Sequence, residues 1–100
     1  VLEDPMTAIE TLAPRSFTNH FCDHRMERDQ FGGRFTGVAC GDGDIDLQKT
    51  LEIFKNKSNM NRINIEVEWD AGDDGPEAAR KKEYDAVVKS IKYCRNVLNI

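Results

Sequence analysis

Apolar residues recur at helical spacing in three stretches of the sequence, which predicts three helices with one apolar face each. The first stretch spans 5–13 and is stopped by Pro14, which cannot continue a helix. The second spans 47–55, and the carboxylate of Asp46 can accept the free amides of its first turn. The third begins at Pro76, with acidic residues before it and basic residues after it, as the helix dipole favours. The predicted buried face of the third helix consists of Tyr84, Val87, Val88, Ile91 and Leu98.

Two further stretches, 16–24 and 62–69, alternate apolar and polar residues as a strand with one buried face does. The polar side of the first consists of Thr18, His20, Cys22 and His24. The polar side of the second consists of Asn64, Glu66 and Glu68. Both strands therefore carry groups that bind metals or move protons on one face. Glutamates that face water on an exposed antiparallel sheet would explain the second strand equally well.

The elements follow one another as helix, strand, long loop, helix, strand, loop, helix. This alternation is typical of an α/β fold in which helices cover a parallel sheet. Two strands do not make a stable parallel sheet by themselves, because such sheets are normally buried on both faces. We therefore expect the chain to be one part of a larger sheet.

Composition narrows the class of protein. The 100 residues are 39% hydrophobic and carry a formal net charge of −4, which fits one domain and gives no general attraction to nucleic acid. We find neither a membrane-spanning apolar run nor a signal peptide, and so predict no membrane association. Three cysteines at wide spacing fit reduced thiols, so the expected compartment is the cytoplasm.

The segment 40–46 leads into the second predicted helix and is rich in glycine and aspartate. Gly41 and Gly43 could let backbone amides approach a phosphate, since helix N-termini favour anions. The same residues are also typical of a simple turn followed by the N-cap Asp46, and such turns are common whatever the function. The sequence leaves both interpretations open.

Three motifs in chain order resemble the sugar phosphate isomerase/epimerase family, also called xylose isomerase-like TIM barrels. The segment 20–24 resembles a histidine strand of the form H-x-K-D, 37–46 resembles a G-x-G-x-I-D loop that enters a helix, and 63–68 resembles a strand that ends in I-E. The resemblance implies that 1–100 is a single fragment, the C-terminal part of a (β/α)8 barrel. It would hold the seventh strand and helix and the eighth strand and helix, and would be inactive in isolation.

The resemblance also implies a metal site. Members of the family bind a divalent metal, Mn, Mg, Zn or Co, through two glutamates, an aspartate and a histidine on the last four strands. At the matching positions the histidine is His20 and the last glutamate is Glu66, while the other two ligands would precede Val1. Glu68 is a rival for the last position, because it lies on the same face two residues further along.

The implied reaction is isomerisation or epimerisation of a small sugar or sugar phosphate by proton transfer through an enediolate. Glu66 would serve as both metal ligand and acid/base. Arg25 or Arg28, just beyond the histidine strand, is the candidate to bind substrate oxygens or a phosphate.

One departure from the family pattern favours an alternative. Cys22 stands where the family has a lysine, so the charge which that lysine supplies is absent. The alternative is a non-catalytic relative of the barrel, or a small α/β binding module. Such a module would self-associate through exposed apolar helix faces into a homo-oligomer.

Overall fold

The computed structural model describes residues 4–68 and 75–100. Its helices are α1 (Pro5–Leu12), which continues into a 3₁₀ turn at Ala13–Arg15, α2 (Leu47–Lys57) and α3 (Pro76–Asn96). Its strands are β1 (Asp23–Glu27) and β2 (Arg34–Val38). The prediction of three helices is confirmed. Trp69 of the predicted second strand and the predicted loop residues 70–74 lie outside the described residues.

Helices α1 and α2 each begin at an aspartate whose side chain satisfies a free amide of the first turn. The Asp4 carboxylate accepts a hydrogen bond from the Thr7 amide at 3.0 Å, and the Asp46 carboxylate accepts one from the Lys49 amide at 2.9 Å. Pro76 occupies the first turn of α3. None of the helices in the described ranges is long and apolar enough to span a bilayer.

The buried face of α3 differs from the predicted one. Its deepest residues are Ala86, Ser90 and Cys94, one turn apart, whereas Tyr84 is 69% exposed and Ile91 is 46% exposed. Small side chains let the helix approach the chain near Cys40, whose amide donates to the Ser90 hydroxyl at 2.9 Å. Of the other predicted residues, Leu98 is buried, and Val87 and Val88 are half-buried. The periodicity therefore predicted the helix and part of its covered face, but missed the small residues that are buried most deeply.

The predicted long loop between the first strand and α2 contains a β-hairpin, so that prediction is wrong. β1 pairs with β2 antiparallel, from Asp23 opposite Val38 to Glu27 opposite Arg34. At the turn, the Asp29 carboxylate accepts from the Phe31 amide, and Gly32 adopts a positive φ of 122°. β1 consists mostly of charged residues, which are poor strand formers, so its strand character comes from pairing with β2.

A parallel β-sheet is not seen in the described parts of the chain. The two predicted strands meet instead at one isolated parallel bridge between Phe21 and Ile65. We call 16–24 the first bridged segment and 62–68 the second. The Phe21 amide donates to the Asn64 carbonyl at 2.7 Å, and the Glu66 amide donates to the Phe21 carbonyl at 3.1 Å. On one side of the bridge, the Asn19 side chain accepts a hydrogen bond from the Asn64 amide and donates one to the Arg62 carbonyl. There, side-chain hydrogen bonds take the place of the backbone hydrogen bonds that would join two paired strands. The described fold is therefore a small α/β arrangement whose sheet is one antiparallel pair.

The hydrophobic core lies between this bridge and helices α2 and α3. It consists of Phe21, Cys40, Leu47, Leu51, Cys94 and Leu98. Ile63 and Ile65 pack against it from the second bridged segment, on the side opposite to the polar residues. Because the apolar side chains of the bridged segments face the core, the polar side chains that could bind a metal or move a proton lie on the opposite face.

Burial of a cysteine predicts a loss of stability at high pH. Burial raises the pKa of the Cys40 thiol from 9.0 to about 11, so the folded protein retains a proton that the unfolded chain loses above pH 9. The free energy of unfolding should therefore fall between pH 9 and pH 11, by at most about 3 kcal/mol from this thiol. Urea unfolding at both pH values, compared with Cys40→Ala, measures this contribution. An identical pH dependence in both proteins would contradict the prediction.

Candidate functional site

Two histidine–glutamate pairs lie side by side along the polar face of the bridged segments. His20 Nδ1 is 2.8 Å from Glu66 Oε2, and His24 Nε2 is 3.1 Å from Glu68 Oε2. Parallel segments in register place alternate side chains on one face, which is why these four residues meet. The structure therefore brings His20 and Glu66 together and pairs the rival Glu68 with a different histidine.

The two pairs differ in their access to solvent. The His20 side chain is 69% exposed and Glu66 is 37% exposed, whereas His24 is only 20% exposed. The second ring nitrogen of His20, Nε2, has no hydrogen-bond partner within 4–68 or 75–100. The first pair can thus receive an ion or a small molecule from solvent, while the imidazole of the second is largely enclosed.

Cys22 lies on the same face, between the two histidines in sequence. Burial raises the pKa of its thiol, and the charges of Glu66 and Glu68 raise it further because they repel a thiolate. The thiol is accordingly a neutral group in a negative field, and it contacts the His20 carbonyl at 3.8 Å. It does not supply the positive charge of the family lysine.

Asp23 points to the opposite side, where it organises the glycine loop. Its side chain is 1% exposed, and its carboxylate accepts hydrogen bonds from the amides of Gly41 at 3.0 Å, Gly43 at 2.9 Å and Ile45 at 3.2 Å. These are amides that a bound phosphate would need, so the loop is held as a turn around Asp23. This role of Asp23 was not predicted from the sequence, although an acidic residue on the apolar side of a strand is a usable signal.

The edge of β1 that does not pair with β2 forms hydrogen bonds with the same glycine loop. The Asp44 amide donates to the His24 carbonyl at 2.9 Å, and the Met26 amide donates to the Asp44 carboxylate at 2.7 Å. The loop thus supports the backbone that carries His24.

The two candidate arginines do not contact either histidine–glutamate pair. Arg25 Nη2 donates to the Asp42 carbonyl at 2.9 Å, which ties this side chain to the glycine loop. Arg28 follows β1 at the exposed end of the hairpin. A substrate role for either one stays a prediction.

The site supplies few metal ligands by itself. Within the described ranges, no group of three or more His, Cys, Asp or Glu side chains is arranged to hold a metal ion. The His20–Glu66 pair supplies two donors of the types that Mn, Mg, Zn or Co accept in proteins. These two residues are half of the four protein ligands that the family resemblance implies.

Comparison with protein-family models, curated proteins and solved structures finds no match to this chain. The resemblance of its three motifs to the isomerase/epimerase family therefore stays a prediction. What the protein does is inferred from those motifs and from the contacts around the two histidine–glutamate pairs.

Proposed function

We propose that the chain is the C-terminal part of a divalent-metal-dependent sugar or sugar-phosphate isomerase or epimerase with a xylose isomerase-like TIM barrel. The observation that carries this proposal is the contact between His20 and Glu66 across a parallel bridge. In such barrels neighbouring strands are parallel, and side chains at their C-terminal ends form the active site. Residues 46 positions apart, on the same side of two parallel segments, fit that arrangement.

The distance between the two side chains also fits a shared ion. Two ligands that each lie about 2.1 Å from a metal, in adjacent positions, are about 3 Å apart. The nitrogen and oxygen of the His20–Glu66 pair are 2.8 Å apart, so a small rotation of either side chain would admit a metal. The remaining ligands would come from outside the described residues, and the isolated chain should bind metal weakly.

In this proposal Glu66 has the central role. His20 and Glu66 would hold the metal, which would supply Lewis acidity toward the substrate carbonyl. One oxygen of Glu66 faces His20, and its carboxylate would also take or return the carbon-bound proton of the sugar. Glu68 is paired with His24 and is 63% exposed, which favours Glu66 as the partner of His20.

The test is metal binding and turnover in the full-length protein. We expect about one divalent ion per chain. His20→Ala and Glu66→Gln should each weaken Mn²⁺ binding by at least about tenfold and remove turnover of keto-sugars, since ligand loss costs more than the 10–100-fold of a supporting residue. Free Mn²⁺ in equilibrium dialysis gives the affinity directly.

The matched control is Glu52→Gln, which removes the same charge from an exposed position on α2. This variant should bind Mn²⁺ like the parent protein. Glu68→Gln should retain binding if Glu66 is the ligand and lose it if Glu68 is. Unchanged metal content in both His20→Ala and Glu66→Gln would refute the proposed site.

The second candidate is a non-catalytic module that self-associates. Exposed aromatic residues favour it, since Phe17 is 95% exposed and Phe31 is 88% exposed. These residues lie before the bridge and at the hairpin turn, not on the helix faces. Sedimentation of metal-free protein distinguishes the candidates, because a module of this kind would form oligomers without metal and would show no turnover.

A further inference from the structure

A cavity of about 450 Å³ lies on the side of the bridged segments opposite to the histidine–glutamate pairs. Phe21 and Ile65 line it, and these residues alternate with His20 and Glu66 along their segments. Leu51 of α2 and Cys94 of α3 complete its buried part. The cavity is therefore separate from the site proposed above, and an inference about it does not depend on that site.

The charged side chains that line this cavity all have the same sign. Lys55, Arg62 and Arg95 line it and are exposed, whereas no Asp or Glu of the described residues is among its lining. This is unexpected in a chain of net charge −4. The side chains of Lys55 and Arg62 have no hydrogen bond or ion pair with any residue of 4–68 or 75–100, while Arg95 donates to the Ile100 carbonyl at 2.9 Å.

An apolar interior with cations at its edge selects for one class of ligand. The volume lies in the range of small-molecule sites, which bury the apolar part of a ligand and orient it with a few polar groups. A guanidinium pairs well with a carboxylate, because its planar donors match the two oxygens. A neutral apolar molecule would gain the burial but leave the cations unpaired.

We propose that this cavity binds a small amphipathic carboxylate, with its apolar part against Leu51, Ile63 and Ile65 and its charge at Lys55 and Arg62. The ligand is defined by its chemistry, namely one anionic group on an aliphatic chain. A second copy of this chain or an apolar peptide would cover the same surface without needing the two cations.

Octanoate is a suitable probe, with 1-octanol as its uncharged counterpart. Titration of the whole chain, followed by NMR, should shift the methyl signals of Leu51, Ile63 and Ile65 in a saturable way. Octanoate should bind more tightly than 1-octanol. Lys55→Gln and Arg62→Gln should each weaken octanoate about twofold to fivefold, as expected for exposed ion pairs, and leave 1-octanol unchanged.

Two controls make the result specific. Lys57→Gln removes the same charge from α2 at a position that does not line the cavity, and should leave octanoate binding unchanged. Ile91→Trp should fill the cavity from its exposed edge and abolish binding of both probes, whereas Val97→Trp, which is outside the lining, should not. Circular dichroism verifies that each variant is folded.

Several outcomes would overturn the proposal. One is the absence of saturable binding, and another is equal affinity for octanoate and 1-octanol. Equal weakening by Lys57→Gln and Arg62→Gln would show a general charge effect. Concentration-dependent dimerisation that excludes octanoate would identify the surface as an interface between copies.

Discussion

Asp23→Asn is expected to lower the free energy of unfolding by about 3–5 kcal/mol, the largest effect of any single polar substitution that we predict. The Asp23 carboxylate is buried and accepts three amides of the glycine loop as well as the His24 amide. Asparagine has nearly the same size as aspartate, but an NH₂ donor replaces one of the two acceptor oxygens. That donor would face the backbone N–H donors of the loop. Buried amides then lose their partner, and each such loss costs about 1–3 kcal/mol.

Urea unfolding followed by circular dichroism measures this loss. Asp29→Asn is the matched control, because Asp29 also accepts a backbone amide but is exposed, and its substitution should change stability by less than about 1 kcal/mol. Hydrogen exchange at the Gly41 and Gly43 amides should become faster in Asp23→Asn alone. Equal stabilities of the two variants would show that the loop does not depend on Asp23.

Gly37→Ala is expected to destabilise the protein by about 1–3 kcal/mol and to separate His24 from Glu68. A methyl group at Gly37 would stand 2.8 Å from the Glu68 carbonyl carbon and 2.9 Å from its Cβ, and closer still to its carbonyl oxygen. Two of these three atoms belong to the backbone, so the end of the second bridged segment must move. His24 is opposite Gly37 in the hairpin, and its contact with Glu68 should therefore be lost.

Gly33→Ala is the control on the same hairpin. A methyl group there would meet only the Glu27 carbonyl oxygen, at 3.7 Å, which is an ordinary contact. Its stability should stay within about 0.5 kcal/mol of the parent or rise slightly, since alanine restricts the unfolded chain. NMR signals of the His24 ring should shift in Gly37→Ala and not in Gly33→Ala. A stable Gly37→Ala protein with an unchanged His24 ring would contradict the close approach.

Sequence-based predictions were right for features that depend on residues close together in the sequence and failed for features that depend on distant residues. The helices were predictable because the N-cap Asp46 and the first-turn Pro76 act within one turn, and apolar periodicity extends over a few turns. The hairpin was not predicted, because β1 is charged and becomes a strand only by pairing with β2. Alternation gave the polar side of each segment, and only the family resemblance implied that His20 and Glu66 lie close together. The sequence near either residue gave no information on the distance between the two side chains.

By itself, the sequence determined three helices, the N-cap Asp46 of the second helix and the two segments whose polar residues share a face. Only the tertiary structure decided that these segments meet at one bridge, that Asp23 turns away from the histidines to hold the glycine loop, and that α3 buries its small residues. The physical reason is the separation along the chain. Helical caps and turns join residues three or four apart, whereas Asp23 reaches residues 18 to 22 positions away and the bridge joins Phe21 to Ile65. Contacts over such separations depend on how the whole core packs, and local pattern does not encode that packing.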